Sequence, residues 1–259
     1  MIQYVESCDS TQDELSQCIQ SVGAVFTLDQ RKGRGRLGRS WLAAKHKTLA
    51  FSWRVPVHGL DLDKLPFISL LAGVALYQWM EKEFFSMLSS STMQVLQSRL
   101  CLKWPNDLLF DGKKLAGILC EARLGLTDPQ VLCGIGLNIL PDPSLPSHSY
   151  SLIEILDDLD LKKQSQLLNE SDLAVIFTEK LPRLIVHLEK LVKQLKEDQH
   201  LKNILVEWKK RTLPIGSKLS TQGYVGNFQG INDTGGLLLD IGEQIITIES
   251  GEVRLLLAE

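Results

Sequence analysis

The sequence predicts an α+β protein with one large domain of strands and helices, followed by a small C-terminal β-barrel of the SH3 type. Three observations predict it. The 259 residues exceed a typical single domain and suit a large unit plus a small one. Long stretches of helical apolar spacing are interleaved with short strand-like runs. Beyond Leu213 the texture changes to brief apolar runs cut by turn residues. The expected domains are 1–212 and 213–259.

In chain order, residues 22–28 and 49–55 read as strands with a Gly/Arg-rich loop between them. From Asp63, Leu65, Ile68, Leu71, Ala72, Ala75, Leu76, Trp79 and Met80 recur at i, i+3, i+4 and i+7 spacing. That predicts a helix capped by Asp63 and running to about Phe85. Residues 86–98, with their serine run, read as an exposed connection. Strands follow at 100–103, 108–110 and 114–120, the last two joined by the Asp111-Gly112 hairpin turn, and a further strand at 130–137. Residues 141–146 form a proline-rich loop, and a short helix is expected at 152–156. The stretch from Asn169 to about Lys210 is dominated by helix, with Leu173, Ile176, Phe177, Leu181, Leu184 and Leu188 on one face and a kink expected at Pro182. In the last fifty residues, Thr221-Gln222-Gly223, Asn232-Asp233 with Gly235-Gly236, and Gly242-Glu243 separate four or five brief strands.

Hydrophobic residues make up 44% of the chain and charged residues 23%, which suits a soluble protein with a real core. A net charge of −3 leaves no general footprint for nucleic acid, so any phosphate must meet a local cationic cluster. The five cysteines form no CxxC pair and their number is odd, which predicts reduced thiols in a cytoplasmic protein. The first dozen residues carry neither the basic nor the apolar region of a signal peptide, and no apolar run is long enough to cross a membrane.

The segment Gly33-Arg34-Gly35-Arg36-Leu37-Gly38-Arg39-Ser40-Trp41 contains GxGxxG, the dinucleotide-binding pattern. A dinucleotide fingerprint must open a helix, whereas these glycines lead toward another strand. Three arginines spaced by glycines instead describe a pliable loop dense in bidentate anion donors. The bland alternative is a solvated basic turn. Lys103-Trp104-Pro105-Asn106-Asp107 places polar groups at a strand entrance, and Lys114 begins an otherwise apolar strand, where a lysine usually snorkels to solvent. Asn138 closes Gly134-Ile135-Gly136-Leu137-Asn138, and its amide needs partners within an apolar stretch.

Taken together, Asp9-Ser10-Thr11, Gln30 with residues 33–41, 103–107, 114–119 and 134–138 resemble the biotin protein ligases over the whole chain, in the order and approximate spacing of that family. The resemblance implies a central mixed β-sheet with packed helices and the SH3-like C-terminal unit. It implies ATP and biotin as substrates, Mg²⁺ accompanying ATP, and biotinyl-5′-AMP as intermediate. The acceptor would be a lysine of the biotin carboxyl carrier domain of acetyl-CoA carboxylase.

For biotin it implies Ser10, Thr11, Gln30, Gly33, Arg34, Arg36, Lys114 and Gly117, and for the nucleotide Arg36, Arg39, Trp41, Asn106, Asp107, Lys114 and Asn138. Lys114, Arg34 and Arg36 would be catalytic; no metal-ligating residue is assigned. Where the family has Ser-Thr-Asn this chain has Ser10-Thr11-Gln12, so no role passes to Gln12.

A lipoate or octanoate ligase of similar fold is the nearest alternative, and a non-catalytic biotin sensor the next. A DNA-binding repressor is not expected, because Asp9-Ser10-Thr11 opens the catalytic region within the first dozen residues. An exposed sheet edge would offer a route to a homodimer.

Overall fold

The structure is a computed structural model that describes residues 1–123, 130–166 and 168–256. In chain order it begins with β1 (Ile2–Tyr4), α1 (Thr11–Gln17), β2 (Ala24–Thr27), β3 (Gly33–Arg34), β4 (Ser40–Trp41), β5 (Thr48–Val55) and α2 (Phe67–Phe84). Then come α3 (Ser90–Arg99), β6 (Leu100–Lys103), β7 (Asp107–Phe110), β8 (Lys113–Arg123), β9 (Gln130–Asn138), α4 (Leu152–Asp158) and α5 (Lys162–Ser165). The chain continues through α6 (Leu173–Gln194), α7 (Asp198–Lys210), β10 (Lys218–Thr221), β11 (Tyr224–Ile231), β12 (Leu237–Asp240), β13 (Ile245–Ile248) and β14 (Arg254–Leu255).

Seven strands form the central sheet in the order β1-β2-β5-β9-β8-β7-β6. The β1–β2 pair is parallel and the other ladders antiparallel, so the sheet is mixed, as the family resemblance implies. Strand alternation gives β9 two different faces. Val131, Cys133, Ile135 and Leu137 join the main core. On the opposite face Leu132 packs with Leu15, Val22 and Val25 beneath α1, and then Gly134 and Gly136 contribute no side chains of their own. That bare stretch is where the cavity lies.

The helix α2 is buried on nearly all sides, because α6 and α7 cover it from outside the sheet. It starts at Phe67 behind Pro66, so the expected cap at Asp63 is corrected: Asp63 sits in a preceding 3-10 turn, Leu62–Lys64. Proline suits this position because the first turn of a helix leaves its N–H unused. Residues 86–98 are also corrected, since most of them form α3. The serine run supplies its cap, with Ser89 Oγ accepting from Thr92 N at 3.2 Å. Only Leu96 of this helix is buried, too narrow a stripe to read as a helical face. The 169–210 stretch divides into α6 and α7, and Pro182 lies inside α6 without ending it.

The C-terminal strands form an antiparallel sheet in the order β13-β12-β11-β10-β14. Among the described residues these five strands form one sheet with no ladder from β13 to β14, in keeping with the SH3-like unit expected at the C-terminus. Its Leu219, Phe228, Ile231, Leu237 and Leu239 belong to the same continuous core as α2 and the central sheet. The chain enters it along the edge strand β6: Leu102 N donates to Arg211 O at 2.6 Å, and Leu213 N to Leu102 O at 3.1 Å. All five cysteines are free thiols.

Candidate active site

A cavity of about 600 Å³ opens over the glycine-bearing face of β8 and β9. The N-terminal turn of α1, the β3–β4 hairpin and the segment 251–255 enclose it.

One end is lined by neutral polar groups. Ser10 caps α1, its Oγ accepting from Asp13 N at 3.5 Å. Thr11 N donates to Gln30 Oε1 at 2.8 Å, and the Thr11 hydroxyl lies 2.8 Å from Ser52 Oγ on β5. Gln12 crosses the floor, its Nε2 donating to Leu119 O at 2.8 Å. Gly33 stands behind this end, against Gln30 and the backbone of Trp41, and does not line the cavity.

The other end is cationic. Asp107 is buried between Lys103 Nζ at 2.5 Å and Lys114 Nζ at 2.6 Å. Burial alone would raise its pKa, but the two ammonium groups outweigh burial and hold the carboxyl below the usual range. Lys114 Nζ also lies 5.3 Å from the Trp41 ring centroid. Trp41 seats on Gly117 and Gly136, register partners across β8 and β9: a Cβ at Gly136 would fall within the indole, and one at Gly117 would lie 3.0 Å from it. Asn106 braces the neighbouring strand, its Nδ2 donating to Ile118 O at 2.6 Å. Asn138 is buried outside the lining; its Nδ2 donates to Lys114 O at 3.1 Å and Tyr150 O at 3.2 Å, which fixes the backbone of Lys114.

The arginine segment folds as a hairpin, with a 3-10 turn at residues 36–38 between its two strands. Leu37 and Gly38 take positive φ of 56° and 73°, and no α-helix follows, so the GxGxxG resemblance carries no dinucleotide geometry. The three arginines are engaged differently. Arg34 forms a bidentate pair with Asp13 at 2.5 and 2.9 Å and reaches Glu121 at 3.1 Å; these carboxylates hold its guanidinium firmly protonated. Arg39 pairs with Glu252. Arg36 donates to Gly251 O at 3.0 Å and, among the described residues, pairs directly with no carboxylate. Burial pushes its pKa down, while Asp107, Cys120 and Glu252 act on it through space.

Of the residues singled out in the sequence, Ser10, Thr11, Gln30, Arg34, Arg36, Arg39, Trp41, Asn106, Asp107, Lys114 and Gly117 line this one cavity. Gly33 and Asn138 stand behind it. Sequence reading missed Gln12, Ser52, Gly134, Gly136 and the 251–255 segment as lining residues. Gln12 and Gly134 adjoin recognised motifs, which is a usable signal. Ser52 lies in an apolar strand, and 251–255 arrives from the far end of the chain, so neither carries a local signal.

The model of the biotin/lipoate A/B protein ligase family matches residues 4–138, more than half of the chain. The chain belongs to that family. A second model, the biotin protein ligase C-terminal domain, matches residues 218–256. Within the family, the biotin–[acetyl-CoA-carboxylase] ligase of Mycobacterium tuberculosis is 29% identical over 232 residues, covering 86% of this chain and 75% of that one. The bifunctional ligase/repressor BirA of Bacillus subtilis is 26% identical over 258 residues, covering 97% of this chain and 72% of its own. Among solved structures, the biotin protein ligase from Aquifex aeolicus in complex with biotin and ATP superposes with a TM-score of 0.71 at 25% identity, over 98% of both chains.

Proposed function

We propose that the protein is an ATP-dependent biotin protein ligase. The observation that carries this reading is the single cavity joining a neutral hydrogen-bonding end at Thr11, Gln30 and Ser52 to a cationic end at Lys114 and Arg36. Such a cavity suits an acid with a polar ring at one end and a carboxylate activated at the other.

In the first half-reaction a carboxylate oxygen of biotin attacks the α-phosphorus of ATP; the new P–O bond forms as pyrophosphate leaves. In the second, a lysine amine of the biotin carboxyl carrier domain attacks the acyl carbon. The C–N bond forms, AMP departs and the amine loses a proton. Both steps gather negative charge, so positioning and charge neutralisation supply most of the catalysis. Lys114, fixed through Asp107 and Asn138, is placed to reach the carboxyl and α-phosphate oxygens. Arg36 is the hairpin guanidinium that pairs with no carboxylate among the described residues, and it suits the phosphate. Arg34 and Arg39 hold the hairpin in place through Asp13, Glu121 and Glu252. Trp41 and Asn106 would flank the nucleotide. Among the described residues no group of three or more His, Cys, Asp or Glu side chains could hold a metal. Mg²⁺ would enter with the nucleotide, as the Mg·ATP substrate.

We place the boundary between the catalytic unit and the C-terminal unit at 212/213. No helix among the described residues is long and apolar enough to cross a membrane, and a cytoplasmic site of action fits the free thiols. The carrier domain is the proposed macromolecular partner, DNA is not, and the unpaired edge of β1 offers a route to a homodimer.

ATP–pyrophosphate exchange with biotin, lipoate and octanoate in parallel tests the function. Exchange driven by biotin is the expected result, and exchange driven only by lipoate or octanoate would move the chain within its family. Replacing Lys114 with Ala is expected to slow both half-reactions by about ten- to a hundredfold, the loss of one charge-assisted hydrogen bond. Near-normal rates would remove Lys114 from the mechanism.

A further inference from the structure

We infer that Gln12 is a specificity residue of this cavity, accepting a hydrogen bond from an N–H of the substrate's ring and closing the pocket to its depth. The inference rests on the biotin reading above.

Gln12 is 4% exposed and lines the cavity. Its amide is oriented by chemistry, because Leu119 O is a carbonyl and can only accept; the NH₂ group must face it, at 2.8 Å. The side-chain carbonyl Oε1 is then directed elsewhere, has no partner among the described residues, and is free to accept from a ligand. The side chain lies flat on the sheet only because residue 134 is glycine: a Cβ there would stand 2.8 Å from Gln12 Nε2. Ser52, Gly134 and Leu119 are register neighbours across β5, β9 and β8. The hydroxyl of Thr11 covers Ser52 and the amide of Gln12 covers Gly134, so one row of the sheet floor is roofed by adjacent side chains of α1.

An oriented acceptor selects among the acids this fold can activate. The ureido ring of biotin carries two N–H donors. The dithiolane of lipoate and the alkyl chain of octanoate carry none, and either would strand the acceptor against an apolar surface. A site built to hydrogen-bond its substrate rejects an analogue lacking the partner far more strongly than a purely apolar pocket rejects a change of size.

The test is a double-mutant cycle between protein and ligand. Wild type and Gln12→Met, which keeps length but removes the acceptor, are compared in ATP–pyrophosphate exchange on biotin and on the two biotins mono-methylated at one ureido nitrogen. In wild type, kcat/KM is expected to fall at least about tenfold for one of the two isomers. Gln12→Met is expected to lose about tenfold on biotin yet to treat that isomer and biotin within about threefold of each other. If Gln12→Met does not fold, Gln12→Asn withdraws the acceptor by one methylene, and its isomer ratio should shift in the same direction. A wild-type isomer ratio retained in the folded variant overturns the inference while leaving the ligase reading intact. Wild-type exchange with lipoate but not biotin overturns both.

Discussion

Asp107 carries two lysines, Lys103 and Lys114, and both line the cavity. Its carboxyl is held below the ordinary 3.8, so the stabilisation it provides is present above that unfolded value and is lost as pH falls through the lower folded one. Replacing Asp107 with Asn leaves two partly buried cations without their counter-charge. The expected cost is about 3 kcal/mol at neutral pH, together with a shallower loss of stability below pH of about 4. Urea midpoints of the two proteins between pH 3 and 7 check both parts; equal midpoints throughout would show that the pair contributes nothing.

At the scale of elements, the hairpin depends on the bare row beneath it. Gly117 and Gly136 face each other across β8 and β9, and Trp41 at the end of β4 rests on both. Substituting Ala at Gly136 should lift the indole away from Lys114 and lower biotin adenylation by roughly tenfold, because loss of one positioned contact is worth about that much. The sheet ladder would persist, since alanine is tolerated in a strand. Activity measured beside urea stability separates the two effects, and unaltered adenylation would show that Trp41 does not organise the site. The helix α3 makes a simpler statement. Its first turn is capped by Ser89, so Ser89→Ala should cost about 1 kcal/mol, read as a lowered melting temperature. No change would mean that the first turn is satisfied by water.

For the whole molecule, the small C-terminal sheet is not a tethered appendage. Trp104 of the Lys-Trp-Pro-Asn-Asp segment donates from Nε1 to Gly235 O at 2.8 Å, and Gly235 itself lies against Phe67 and Leu70 of α2. Arg36 and Arg39 join the hairpin to Gly251 and Glu252. With one apolar core running through both units, thermal unfolding by calorimetry should show a single transition. Two resolved transitions would mean that the junction adds little to either unit.

By itself the sequence determined the α+β class, the change of texture near 213, most strands of the central sheet and the identity of nearly every cationic group in the cavity. Those features are written locally, in apolar periodicity and in short motifs whose residues are chain neighbours. Helix α3 is not legible because a serine-rich cap and a single buried leucine leave no periodic face to read, and Asp63 reads as a cap although the helix starts behind Pro66. Tertiary structure alone decided that Arg34 is committed to the carboxylates of Asp13 and Glu121 while Arg36 donates to the backbone carbonyl of Gly251, although the two differ by only two positions in one loop. It also decided that Ser52, Gly134 and the 251–255 segment meet in one cavity. Charge pairing and cavity shape depend on distances between residues far apart in the chain, and no local pattern encodes those distances.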